Sequence, residues 1–520
     1  MRGWHTAASA VWQGMEKLPI DEALPNLIAA LRRDRQAVLQ APPGAGKTTR
    51  VPLALLDAGL TDGRIIMLEP RRLAARSAAA RMAETLGEPV GQTVGYRIRG
   101  ETKVSRATRI EVVTEGILTR MIQSDPSLDG IGAVIFDEFH ERSLNADFGL
   151  ALALECREAL RDDLILLAMS ATLDAEPVAA LMGDAPVVTS TGRSFPVETI
   201  WLDRPLLKGL RFETAMADLI RHAAGQTQGG MLAFLPGEGE IRRVLAQLDL
   251  SGVTVLPLYG ALPFSAQQRV FAPAEGRKLV LATSIAETSL TIPDIRVVID
   301  GGRARRARFN PGSGMSRLVT ERLTRAEAEQ RRGRAGRVAE GVCFRLWTKG
   351  EDGSLAAYPP AEIESADLTG LALEMAEWGG DELRFLTNPP ERALTEARAL
   401  LKGLGALDDA GRITGHGKGL VRMPLHPRLA HMLAIAGTGA ALLAALLADQ
   451  DPMRGAGADL SLRLNLLRSG KRDPHLDRIR KEVRRLDKLA GGTDISDPAQ
   501  QAALAYPDRI ALRRTGDDPR

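Results

Sequence analysis

Between residues 20 and 190, short apolar runs that end in polar residues alternate with helix-like stretches. The runs are AVLQ (37–40), RIIMLEP (64–70), IEVVTEG (110–116), AVIFDE (133–138) and LILLAMSAT (164–172). Strands buried on both faces of a parallel sheet have this texture. Segments such as RRLAARSAAARMAETLG (71–87) lie between them. The alternation confines this region to a doubly wound α/β fold, whose ligands bind beyond the carboxyl ends of the strands. The polar ends of the runs are those carboxyl ends. A Gly/Ser/Pro segment, TGRSFPV (191–197), reads as a linker. The pattern then resumes with VETIWL (197–202), GMLAFLP (230–236), VTVLPLYG (253–260), KLVLATS (278–284), RVVIDGG (296–302) and VCFRLW (342–347).

After Trp347 the texture turns helical. LLKGLGALDDAGRIT (400–414) reads as a helix, a glycine turn and a short hairpin, the outline of a winged helix. Residues 416–505 are helical and rich in Ala and Leu. Three or four domains fit 520 residues at ~150 per domain. With 44% apolar and 26% charged residues, a wholly disordered chain is excluded. A net charge of +3 means that any nucleic-acid site rests on local clustering of charge. Cys156 and Cys343 lie far apart, which argues against a disulfide framework or a thiolate zinc site and for a reducing cytoplasm. Residues 433–448 are too short for a membrane span of ~20 residues and predict one buried helix. No signal peptide is visible, and residues 1–17 read as a loose tail.

Three motifs carry chemistry. APPGAGKTT (41–49) follows the AVLQ strand and opens a helix. Gly44, Ala45 and Gly46 let backbone N–H groups turn toward phosphate oxygens, with Thr49 closing the loop. Lys47 reaches the terminal phosphates and the Thr48 hydroxyl suits Mg²⁺. DEFH (137–140) ends the AVIF strand, which places Asp137 on the metal and Glu138 on the attacking water. His140 reads as an ordinary capping residue or as a link from the hydrolysis site to the second domain. QRRGRAGR (330–337) spaces Gln330, Arg334 and Arg337 at helical intervals, as arginine fingers across a cleft or as a solvated basic helix.

Together GAGKT, DEFH, SAT (170–172), SIAETSLTIPD (284–294) and QRRGRAGR resemble a superfamily 2 helicase of the DEAH/RHA group. LPIDEALP (18–25), LEPRRLAARSAAARMA (68–83) and FNPGSGMSRL (309–318) resemble the bacterial HrpB family. The resemblance implies two tandem RecA-like P-loop domains (18–190 and 197–348, linked by 191–196), a winged helix (349–415) and a ratchet-like helical bundle (416–520). GRITGHGKGLVRMPLHPRLAHML (411–433) matches the segment that joins the last two. Relatives continue into an OB-like module, so the bundle is expected to stop short of it. The implied activity is ATP-dependent 3′–5′ movement along single-stranded RNA, with other NTPs accepted and Mg²⁺ as cofactor. Gln330 is implied to position the γ-phosphate region and water; Ser170 and Thr172 to couple hydrolysis to strand movement; Arg71, Arg72, Thr114, Glu115, Gly116 and Thr283 to grip the strand, with Arg97 and Arg99 adding to the path or forming a solvated basic loop. Three positions depart from the family pattern: Phe139 for Ala, Ser284 for Asn, and Pro293 before Asp294. A nucleotide-switched RNA clamp or a DNA translocase are the alternative readings. A cytoplasmic monomer without membrane contact is expected.

Overall fold

A computed structural model describes residues 17–511, apart from 43, 172–174, 192–194, 273–275, 288–291, 311–314, 381, 454 and the side chain of 264. Thr172, most of the tail, the middle of the linker and parts of SIAETSLTIPD and FNPGSGMSRL lie outside the described residues.

The first domain holds β1 (Gln36–Gln40), β2 (Arg64–Leu68), β3 (Val94–Ile98), β4 (Glu101–Lys103), β5 (Ile110–Val113), β6 (Ile131–Phe136), β7 (Ile165–Ser170) and β8 (Val187–Thr189). They form one sheet in the order β4-β3-β5-β2-β6-β7-β1-β8. Only β4 runs antiparallel, against β3. β6 and β7 are buried along their whole length, as their uninterrupted apolar sequences require. Leu39, Met67, Ile135 and Leu167 anchor the core on one face.

The second domain holds β9 (Val197–Leu202), β10 (Gly230–Phe234), β11 (Val253–Leu258), β12 (Arg277–Ala282) and β13 (Ile295–Asp300). A hairpin follows, β14 (Arg303–Asn310) and β15 (Met315–Arg322), and then β16 (Gly341–Thr348). Six strands make a parallel sheet in the order β11-β12-β10-β13-β16-β9, and β14 pairs only with β15.

Every strand read from an apolar run is present. β3, β4, β8 and the arginine-rich hairpin were not among those runs. GYRIRGE (95–101), for which a solvated basic loop is one of two readings, forms β3 and its turn into β4.

Two compact units partition the chain. One comprises Met1–Ala366 and Leu383–Asn388, the other Asp367–Glu382 and Pro389–Arg520. The second unit is helical. Thr369–Trp378, Glu391–Gly403 and Gly415–Val421 lead into Pro427–Ala436, Ala441–Leu447, Leu460–Arg468, Pro474–Asp487 and Pro498–Ala505. The short hairpin expected there is a single bridge, Leu407 to Ile413. The single helix expected over 433–448 is two helices. Gly437, at φ +67°, breaks it, and Asp494 takes hydrogen bonds from the Thr438 hydroxyl and the Gly439 N–H. No helix among the described residues is long and apolar enough to cross a membrane.

Candidate nucleotide and nucleic-acid site

The loop after β1 turns through Gly44 (φ +88°) and Gly46 (φ +96°), a conformation that glycine adopts without strain. Gly46 precedes the helix Lys47–Asp57, so the loop ends on a helix N-terminus, where backbone N–H groups favour an anion. Residues 18–21 brace this loop, a role the sequence did not disclose. Ile20 N–H donates to Ala45 O at 3.1 Å. A methyl group on Gly46 would stand 2.6 Å from Leu18 Cδ1, so any side chain there strains the backbone at φ +96° and displaces Leu18. Among the implied phosphate-loop residues, the Thr49 hydroxyl donates to Gly46 O at 3.4 Å.

Lys47 is buried, with Nζ 3.0 Å from Glu138 Oε2 and 3.8 Å from Asp137 Oδ1. Burial opposes its charge, but the Glu138 and Asp137 carboxylates more than offset this and hold its pKa above the ordinary value. The Thr48 hydroxyl donates to Asp137 Oδ2 at 2.5 Å, and Glu138 N–H donates to Asp137 Oδ1 at 2.8 Å. Burial pushes Asp137 up to about 6, against the pull of Lys47. Glu138 itself sits at φ +51°, a left-handed conformation uncommon outside glycine and characteristic of strained functional positions. The sharp turn lets β6 end with both carboxylates facing the phosphate loop. A hydroxyl and a carboxylate oxygen converging beside a phosphate cradle are hard donors of the kind Mg²⁺ takes.

His140 is buried, and burial lowers its pKa. Its Nδ1 accepts from Ala171 N–H at 3.3 Å and its Nε2 lies 3.5 Å from Glu138 Oε2. The ring therefore joins the Glu138 carboxylate to Ala171, next to Ser170, which is buried at the end of β7. His140 and Gln330 line one cavity of about 600 Å³ together with Arg71 and Ser284. That cavity has walls from both α/β domains, so the linking reading of His140 has a geometric basis.

The helix expected through 330–337 stops early. It spans Arg325–Arg332, capped by Thr324 and Glu327, and Arg334 and Arg337 lie in the turn beyond Gly333. Gly336 explains the turn. A methyl group there would meet Phe195 O at 2.5 Å, and Phe195 N–H donates to Gly336 O at 2.9 Å. The turn delivers Arg337 to the first domain: Gly44, given a methyl group, would place it 3.5 Å from Arg337 Nε. Burial lowers Arg334, reinforced by Arg337, and lowers Arg337 to about 10, while Glu138 pulls both upward. Two desolvated guanidinium groups beside a P-loop are poised for a polyanion.

Sequence reasoning passed over Arg331 and Glu287. Arg331 is buried, donates to Glu287 Oε1 at 2.6 Å and to Asp300 Oδ1 at 2.7 Å, and sits 4.9 Å over the Phe234 ring. Glu287 O accepts from Arg334 Nε at 3.0 Å. This buried pair fixes the turn from which Arg334 and Arg337 extend. The adjacent arginines in QRRGRAGR were the available signal, since a guanidinium with acidic partners is the charge most readily buried.

The implied strand-gripping residues are placed on both domains. Arg71 donates to Ser284 O at 2.6 Å and pairs with Glu141 at 3.1 Å, bridging first and second domains. Arg72 donates to Arg99 O at 2.9 Å. Thr114 occupies the position just before the helix Glu115–Ser124 without a side-chain capping bond, and Gly116 in the first turn has open space around it. Burial raises Glu115 to about 7, although Ser143 donates to it. Thr283 lies just beyond β12, its N–H donating to Leu258 O at 3.1 Å. Arg97, an optional member of the path, instead faces buried Glu111, 2.8 Å away.

Comparisons agree with this geometry. Residues 21–181 match the DEAD/DEAH box helicase family and residues 214–339 the helicase conserved C-terminal domain. The chain is 46% identical to "ATP-dependent RNA helicase HrpB" of Escherichia coli (strain K12), over 97% of this chain and 63% of that protein. It is 36% identical to "ATP-dependent RNA helicase HrpA" of the same organism, over 80% of this chain and 33% of that one. The crystal structure of Escherichia coli DEAH/RHA helicase HrpB superposes with a TM-score of 0.86 at 45% identity, covering 96% of this chain and 64% of the other. The chain thus spans less than two thirds of the length of these relatives. The two α/β domains are RecA-like.

Proposed function

Because this chain belongs to the DEAH/RHA helicase family, we propose that it is an ATP-dependent RNA helicase that couples NTP hydrolysis to 3′–5′ movement along a single strand. The observation that carries the reading is Arg337 standing against Gly44 while Lys47 contacts Glu138, so that groups from both domains enclose one phosphate-sized site. The domain limits proposed from sequence, 18–190, 197–348, 349–415 and 416–520, go with this reading, as do a cytoplasmic location and a monomeric state.

In this proposal Gly44, Ala45 and Gly46 present backbone N–H groups to the β- and γ-phosphates, with Thr49 holding the loop. Lys47 leaves Glu138 for the phosphates, which frees that carboxylate to orient water and accept its proton. Thr48 and Asp137 would hold Mg²⁺, which when bound screens phosphate charge. Arg334 and Arg337 stabilise the charge that develops on the transferred phosphoryl group, and Gln330 orients water beside them. Ser170 and Thr172 couple the site to the strand, and His140 links the carboxylate to Ala171 N–H beside Ser170. RNA lies across Arg71, Arg72, Thr114, Glu115, Gly116 and Thr283, held by its backbone.

The test is ATP turnover with and without single-stranded RNA, beside strand displacement on a duplex with a 3′ overhang. Lys47→Ala is expected to weaken nucleotide binding, and Glu138→Gln to keep binding and abolish turnover. Turnover by Glu138→Gln at the parental rate refutes the assignment, and stimulated ATPase without displacement favours a clamp.

A further inference from the structure

The turn that follows the catalytic carboxylates continues without a break into the helix Leu144–Ala159, and a second segment of chain lies along that helix. Arg142, at φ +50°, forms the corner. Its guanidinium makes two hydrogen bonds to buried Asp147, at 3.0 and 2.8 Å, and donates a third to the Thr387 hydroxyl at 2.9 Å. Its carbonyl accepts from Glu362 N–H at 3.0 Å, and Glu362 Oε2 accepts from Leu144 N–H at 2.8 Å. In the second turn of the helix the Phe385 ring stacks on Phe148, centroids 6.3 Å apart and planes 13° from parallel. Near its carboxyl end Glu158 pairs with Arg384.

Three contacts in reverse order, from Thr387 beside the corner to Arg384 beside the last turn, show that Leu383–Asn388 lies antiparallel along the helix, with the long side chains of Arg142 and Arg384 reaching to its two ends. This strap belongs to the first compact unit, whereas the chain on either side of it, Asp367–Glu382 and Pro389 onward, belongs to the second. A sixteen-residue helix with a packed face moves as a rigid body. Any shift of the turn at Glu138–Arg142 is therefore passed to the strap, and through covalent continuity to the segments that flank it.

We propose that Arg142 is a positioning residue: together with Glu362 and Thr387 it couples the nucleotide site to the strap Leu383–Asn388, so that nucleotide state is reported to the helical unit through the helix Leu144–Ala159. This rests on the ATPase reading above. Thr387 stands in the wall of the cavity lined by Arg71 and His140, but its hydroxyl bonds Arg142 and not the phosphate loop, and Arg384 pairs with Glu158 at the far end of the helix, so loosening the strap removes no group assigned to the chemistry.

The experiment compares the parent chain with Thr387→Val, Thr387→Ser and the double variant Arg384→Ala/Thr387→Val. Amide hydrogen exchange of 383–388 is followed with and without a non-hydrolysable ATP analogue and Mg²⁺. The analogue is expected to change exchange of the strap in the parent and in Thr387→Ser, and not in the double variant. Steady-state kinetics are expected to show unchanged basal kcat and KM for ATP in the double variant, with RNA stimulation reduced about five- to tenfold. Thr387→Ser is expected to restore stimulation and Thr387→Val to fall between. The proposal is overturned if strap exchange in the parent ignores the analogue, or if the double variant keeps full stimulation. Because the exchange readout needs only nucleotide binding, it stands even if the chain hydrolyses no ATP, an outcome that removes the ATPase reading alone.

Discussion

Single residues here do their work through desolvation. Burial lowers the pKa values of Arg334 and of half-buried Arg337, and Glu138 only partly offsets this. Substituting either by Ala is expected to cut kcat by on the order of 10³-fold, the lower end of the arginine-finger range, while ATP affinity changes far less. A loss confined to RNA binding contradicts the finger role. Glu115 illustrates the same physics with opposite charge. Burial holds its folded pKa at about 7, against 4.5 in the open chain. Between these values the folded state keeps a proton that the unfolded state has released. Glu115 therefore lowers stability progressively as pH rises from 4.5 through about 7. Glu115→Gln, which imitates the protonated form, is expected to flatten that part of the profile. Thermal melts of both proteins across the window check this, and parallel profiles reject it.

Elements became legible from sequence where their cause was local. β6 and β7 are uninterrupted apolar runs because they are buried on both sides, so composition alone reveals them. β14 and β15 are held by a ladder of charge instead: Arg306 and Arg308 both pair with Glu321, and Arg306 also with Glu327. No hydrophobic period marks such a hairpin. The phosphate loop and the acidic pair of the candidate site were legible because each follows a strand directly, whereas Arg331 and Glu287 meet across 44 residues of sequence. Helical spacing misled the reading of 330–337 because the turn is decided by a tertiary contact, the approach of Gly336 to Phe195. That contact makes a prediction. Gly336→Ala puts a methyl group 2.5 Å from a backbone oxygen that cannot swing aside, and 2.7 Å from Val197 Cγ2. Overpacking of this kind costs about 1–3 kcal/mol. Because the turn holds Arg337, the variant is expected to lose ATP turnover beyond what its lowered melting temperature explains. Circular dichroism melts and ATPase rates at a temperature where the variant is fully folded separate the two effects.

At the scale of the whole molecule, a net charge of only +3 leaves no global field to draw in RNA, so the proposed binding has to rest on a few placed cations. Arg71 is central among them because it already spans the two RecA-like domains, through Ser284 O and Glu141. An incoming phosphate has to share this guanidinium with both partners or displace one. If RNA lies where the proposed function puts it, the same side chain is expected to respond both to the strand and to the closure of the domains. Arg72, held by a single hydrogen bond to Arg99 O, has donors to spare but does not bridge. Backbone-only recognition releases counterions, with a slope of about 0.7 in log–log salt plots for each single-strand phosphate neutralised. Arg71→Ala and Arg72→Ala are each expected to weaken binding to poly(U) and poly(A) alike and to lower the salt slope by about that amount. Only Arg71→Ala is expected also to reduce RNA stimulation of ATP turnover at saturating RNA. Titrations at several salt concentrations, paired with ATPase rates at saturation, measure both quantities. Equal stimulation in the two variants shows that Arg71 contributes charge alone and that domain closure is reported by other contacts.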